Sequence, residues 1–157
     1  MIDELEQWKG PFKPPSAEEL ADRYAASQLV KIYALGVDTR NYELSRSVFA
    51  PDAFADGSAG AFQIDEYLPK IFDGVAVYEA TQHNVTNQHV AINGDEALVW
   101  SYAIAVHKVR PGDTRQDMTL GVQYRDTCRR TPQGWVIAHR KVDRMWTELF
   151  EPRKGTQ

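Results

Sequence analysis

The order of hydrophobic periodicities predicts an α+β domain. Helical spacing dominates to about residue 78, and runs rich in Val, Ile, Trp and Tyr dominate from His83 onward. Asn93-Gly94-Asp95 is a strong hairpin turn inside the second regime. Three helices followed by a meander of long antiparallel strands pack as a helical layer on one face of a curved sheet, and such a sheet encloses a pocket. A chain of 157 residues, 43% hydrophobic and 25% charged, suffices for one core and is short for two. One domain over 16–150 is expected, with an extended arm over 1–15 and a tail over 151–157.

The arm holds Trp8, Gly10, Pro11, Phe12, Pro14 and Pro15, which resist regular structure while offering two aromatics to the body. Ser16 and Glu19 stand at capping-box spacing, and Ala25, Leu29, Ile32, Tyr33 and Gly36 recur at helical intervals. They predict a first helix from about Ala17 to about Val37. Asn41 is a cap for a short second helix carrying Tyr42, Leu44, Val48 and Phe49, which Pro51 stops. The stretch from Asp52 to Gln63, flexible at Gly57, Ser58 and Gly60, predicts paired strands, and Tyr67, Leu68, Ile71 and Phe72 predict a third helix despite Pro69. Turns at Asn93-Gly94-Asp95, Pro111-Gly112-Asp113 and Thr131-Pro132-Gln133-Gly134 then divide the strands.

A net charge of −4 with scattered basic residues leaves no electrostatic footprint for nucleic acid. No segment reaches the roughly 20 apolar residues that cross a bilayer. The lone Cys128 and a start without a secretory pattern imply a reducing, cytoplasmic setting. His83, His89, His107 and His139 lack tight ligand spacing and a carboxylate or cysteine cluster, so no metal is expected.

The most informative pair is Asp38, at the end of the first helix, and His83, at the start of the strand region. A carboxylate bonded to one imidazole nitrogen leaves the other free as a base and stabilises the imidazolium that forms. The plainer readings are a helix-end carboxylate and a solvated histidine. Tyr33 is a hydroxyl donor candidate; it stands about 140° from Asp38 around an ideal helix, so both line one pocket only if the helix ends or bends near Gly36. His107 shares strand parity with Ser101, Ala103 and Ala105, small residues that leave room for a ligand on a concave face. Arg140 is an anion or oxyanion donor or else part of a paired strand face. Asn87 is an amide donor to the cavity or to a strand end, and Trp146 is a pocket, core or interface aromatic.

Four features resemble the SnoaL-like branch of the nuclear-transport-factor-2-like superfamily. They are the Tyr33 to Asp38 helix end followed by Arg40-Asn41-Tyr42-Glu43-Leu44; Phe49-Ala50-Pro51-Asp52-Ala53; His83 with Val85-Thr86-Asn87 and Asn93-Gly94-Asp95-Glu96-Ala97; and Gly121 to Asp126 continuing to Gly134-Trp135-Val136-Ile137 and Arg140. The resemblance spans roughly residues 16 to 146 and implies a cone-shaped fold. Its members of the scytalone dehydratase, bile acid 7-alpha-dehydratase and hexachlorocyclohexane dehydrochlorinase type eliminate water or chloride with a His/Asp dyad, at the places of His83 and Asp38. Tyr33 matches a tyrosine of the bile acid enzyme; His107 falls near a second pocket histidine, and Arg140 near an arginine of some members. The expectation is a cofactor-independent lyase acting on a small, apolar, cyclic or polyketide-like compound. The alternatives are an isomerase or cyclase, and a non-catalytic ligand-binding or assembly module. An uncovered sheet face implies a homodimer or homotrimer.

Overall fold

The computed structural model describes residues 5–152. Residues 1–4 of the expected arm and 153–157 of the expected tail lie outside the described residues. In the arm, a short 3-10 turn, Glu6–Trp8, brings the Trp8 indole against His89 and edge-on to Trp100.

Helix α1 spans Ala17–Asp38, and Ser16 Oγ accepts from Glu19 N at 3.1 Å as the capping residue. Its buried stripe is Ala26, Leu29, Val30, Tyr33 and Val37; Ala25 is exposed and Ile32 half-buried, so the inward face is rotated from the one expected. Helix α2 is Tyr42–Arg46, with the Asn41 side chain accepting from Leu44 N at 3.0 Å. It ends well before Pro51, which lies inside strand β1 (Phe49–Gly57) rather than stopping a helix. A proline fits there because the β1 pairing is interrupted between Phe49 and Phe54, where a ladder donor is not required. Strand β2 (Gly60–Gln63) completes the expected hairpin, and helix α3 (Ile64–Ala76) contains Pro69.

Strands β3 (Ala80–Asn93), β4 (Glu96–Lys108), β5 (Asp117–Thr131) and β6 (Gly134–Phe150) form the antiparallel meander. The six-stranded sheet is ordered β2-β1-β6-β5-β4-β3. One pairing departs from the expected antiparallel plan, since β1 runs parallel to β6. His83 is the fourth residue of β3 rather than its first. The core lies between α1, α3 and the concave face of the sheet, around Val30, Tyr33, Val37, Tyr67, Leu68, Val99 and Ile137. No helix among the described residues is long and apolar enough to cross a membrane.

Gly36 has a role other than a bend. The helix continues through it, and a Cβ there would lie 2.2 Å from Ser45 Oγ and 2.6 Å from Ser45 N. Its missing side chain lets α2 close onto α1, where the buried Ser45 hydroxyl donates to Tyr33 O at 2.9 Å.

Candidate active site

Asp38 ends α1 within reach of β3, and both of its oxygens are used there. His83 Nδ1 lies 2.7 Å from Oδ1, His83 N donates to Oδ2 at 2.8 Å, and Thr81 Oγ1 donates to Oδ1 at 2.9 Å. The carboxylate thus fixes strand backbone and imidazole together. Burial by itself would raise the Asp38 carboxyl, but the ring and backbone bonds from His83, with Thr81, hold it below the ordinary carboxylate value. An ionised Asp38 accepts the Nδ1 proton, which sets the tautomer in which Nε2 is the basic nitrogen. No protein group among the described residues bonds Nε2, and the ring lines a cavity.

Sequence reasoning missed the support behind the pair. Arg40 Nη1 donates to Thr81 Oγ1 and to Val37 O, both at 2.8 Å, and Nη2 donates to Val75 O at 3.0 Å. One guanidinium therefore joins the ends of α1 and α3 to the strand that carries His83. Arg40 holds φ at 58°, a conformation that side-chain-bearing residues adopt sparingly, so the clamp carries a local backbone cost. Residue type and spacing carry no sign of this role.

The cavity measures about 290 Å³ and lies between α1, α3, the β1–β2 turn and the concave sheet. Tyr33, His83 and His107 share its wall with Ala105, Leu120, Val122 and Tyr124. The β4 parity places Ser101, Ala103, Ala105 and His107 on the inner face, and all four are buried. The His83 and His107 rings meet edge to face at 5.8 Å. Burial, followed by the neighbouring His83, pushes the His107 imidazole down to about 4, although carbonyls of Ala105 and Met118 pull the other way. His107 is therefore neutral near pH 7, and an imidazolium proton donor is not what this position offers. Burial lifts the Tyr33 phenol well above its ordinary value, so it remains a protonated donor. Asp38 stands behind His83 and does not itself line the cavity, which removes the need for Tyr33 and Asp38 to share one helix face.

Three expected substrate contacts lie elsewhere. Arg140 is fully buried and bonded through Nε and Nη2 to the two oxygens of Asp126 at 2.7 and 2.6 Å. Its guanidinium carbon sits 4.3 Å from the Tyr33 ring centroid and 4.8 Å from that of Tyr124, so it backs the wall rather than facing the cavity. Asn87 is exposed in a β3 bulge at φ 44°, while its neighbour Gln88 turns inward to Ser27 O and Ser101 Oγ. Trp146 follows a bulge in β6 and lies over Gly121, 41% exposed and outside the cavity. Lys70, Tyr78 and Arg144, which sequence reasoning passed over for this role, line the cavity instead.

A family model described as a SnoaL-like domain matches residues 18–141. An uncharacterized protein of Mycobacterium tuberculosis (strain H37Rv) is 33% identical over 143 residues, covering 87% of this chain and 91% of that protein. Among solved structures, a Novosphingobium aromaticivorans protein assigned as a scytalone dehydratase superposes with TM-score 0.74 at 21% identity, over 91% of this chain and 100% of that one. The hexachlorocyclohexane dehydrochlorinase LinA-type3 of Novosphingobium barchaimii superposes with TM-score 0.76 at 16% identity, over 91% of this chain and 99% of that one.

Proposed function

The chain belongs to the SnoaL-like domain family, and on that premise we propose that it is a cofactor-independent lyase acting on a small, largely apolar cyclic compound. The observation that carries the reading is the 2.7 Å contact between His83 Nδ1 and Asp38, made by a ring that lines the cavity. His83 Nε2 takes a proton from carbon, and the electron pair left behind forms the double bond as the leaving group departs from the neighbouring carbon. The imidazolium, stabilised by Asp38, then returns the proton to a departing hydroxide or to solvent. Tyr33 donates a hydrogen bond to the oxygen or halogen on which negative charge grows. His107 supplies a neutral imidazole beside the base, where a second positive charge would have opposed protonation of His83.

The same base serves an isomerase when the substrate lacks a leaving group. Elimination is favoured because the structural neighbours named above are described by eliminations, of water and of hydrogen chloride. The test is turnover of a panel of cyclic β-hydroxy ketones and chlorinated cyclohexanes, followed by enone absorbance and chloride release. Wild type should turn over at least one of them, and His83→Ala should bind it without turnover. Equal turnover by both proteins would remove His83 as the base. Self-association belongs to the same reading: Ile104 and Trp146, 44% and 41% exposed, lie on opposite sides of Gly121 on the outer sheet face, and sedimentation should show a dimer or trimer.

A further inference from the structure

We propose that the mouth of the cavity is an anion subsite formed by Lys70 and Arg144, and that the substrate is an apolar ring carrying a carboxylate or phosphate at its outer end. The inference deepens the reading of this cavity as the active site and rests on it.

Three observations carry it. Arg144 is on the inner face of β6, paired with Val122, in the same alternation that puts Val142 and Tyr124 against the cavity. Arg144 and Lys70 are both exposed, so each guanidinium or ammonium is held by water at the edge of the cavity and is free to exchange that water for an anion. No counter-charge is present: neither Arg144 nor Lys70 has an ion pair among the described residues, and the cavity lining contains no aspartate or glutamate. Of the neighbouring sheet cations, Arg125 is matched by Asp143 and Lys108 by Asp117 at 2.8 Å; Arg110, past the end of β4, has no ion pair among the described residues but does not line the cavity.

Lys70 reaches the same mouth from the opposite wall, on α3, its ammonium 4.9 Å from the Phe62 ring centroid. The two cations thus come from separate elements on a protein whose net charge is −4, so a general basic surface does not account for them. Further in, the lining is apolar or neutral up to His83 and His107. This gradient orients a ligand with its charged end outward and its ring carbon at the base. A cavity of about 290 Å³ is at the low end for ligand sites, which suits one or two fused rings.

The test is calorimetric titration of the full chain with three probes of one shape: 2-naphthoate, 2-naphthyl phosphate and the neutral 2-naphthamide. In wild type an anion should bind about tenfold or more tightly than the amide, a difference that shrinks as salt rises. The tighter of the two anions identifies the headgroup. Lys70→Met/Arg144→Met, both at exposed positions, should bind all three probes alike while melting with wild type. The proposal is overturned by equal binding of amide and anions to wild type, by a preference that survives in the double variant, or by no anion binding at millimolar concentration. His83→Ala should keep the preference for anions, so failure of proton abstraction and failure of the subsite are separate results.

Discussion

Two carboxylates in this molecule each hold a nitrogen base, and the two pairs differ in what surrounds them. Asp126 and Arg140 are 1% and 0% exposed, with the guanidinium against the rings of Tyr33, Phe49 and Tyr124. Asp38 and His83 are 21% and 8% exposed, with one imidazole nitrogen, on a cavity, left without a protein partner among the described residues. Arginine keeps its proton at every working pH; burial opposes the charge of Arg140, but Asp126, by its charge and hydrogen bonds, outweighs it and raises the proton affinity, so the first pair is a permanent ion pair that fixes the aromatic wall. An imidazole can both accept and donate a proton, which makes the second pair capable of chemistry. Sealing suits a pair that must not change, and access suits the pair proposed to react.

The sharpest way to break this contrast is to cut each pair at its carboxylate. Asp126→Ala leaves a buried arginine without its partner and should cost about 3–5 kcal/mol of stability, read by urea denaturation. Asp38→Ala should melt far closer to wild type. The same contrast is inverted in turnover, where His83→Gln should lose about 10²–10⁴-fold in kcat on a substrate that wild type accepts, with little change in melting temperature. If both cuts damaged stability equally, the division into wall and reactive pair would fall.

Acid should sharpen the picture through His107. Its folded value of about 4 lies below the ordinary 6.5, so between these values the unfolded chain binds a proton that the folded protein refuses. The stabilisation is complete above pH 6.5 and is lost as pH falls toward 4. Denaturation midpoints should therefore drop through that window in wild type and drop less in His107→Phe. Asp38, whose folded value is depressed, adds a loss only at lower pH, as its own carboxylate protonates. The smallest expected effect belongs to Thr81→Val, which removes one bond to Asp38 and one from Arg40 and should cost about 1 kcal/mol, with a modest fall in kcat.

How legible each feature was in the sequence follows from how local its cause is. Strand β4 pairs without interruption with β5, so alternation alone placed His107 and Ala105 on one face. Asn87 and Trp146 sit at or beside irregularities in β3 and β6, and one extra residue there reverses every inward and outward assignment beyond it. Arg140 stands next to Lys141 in sequence, yet its partner Asp126 lies directly opposite on the adjacent strand, a cross-strand pairing that residue spacing does not report. Arg40 depends on a positive φ and on carbonyls at two helix ends, none of which residue spacing reports. The parallel contact of β1 with β6 was equally hidden, because it joins segments far apart in the chain.

That contact also sets an order of assembly. Strand β6 stands between β1 and β5, and of the six strands it is the one synthesised after the other five. Until it emerges, the β1–β2 hairpin has no edge to join, and the wall holding Ala59 and Val142 does not exist. Asp38 and His83 are synthesised early, but the chamber around them closes only once β6 has followed, so the nascent chain carries the proposed base before it has a place to use it.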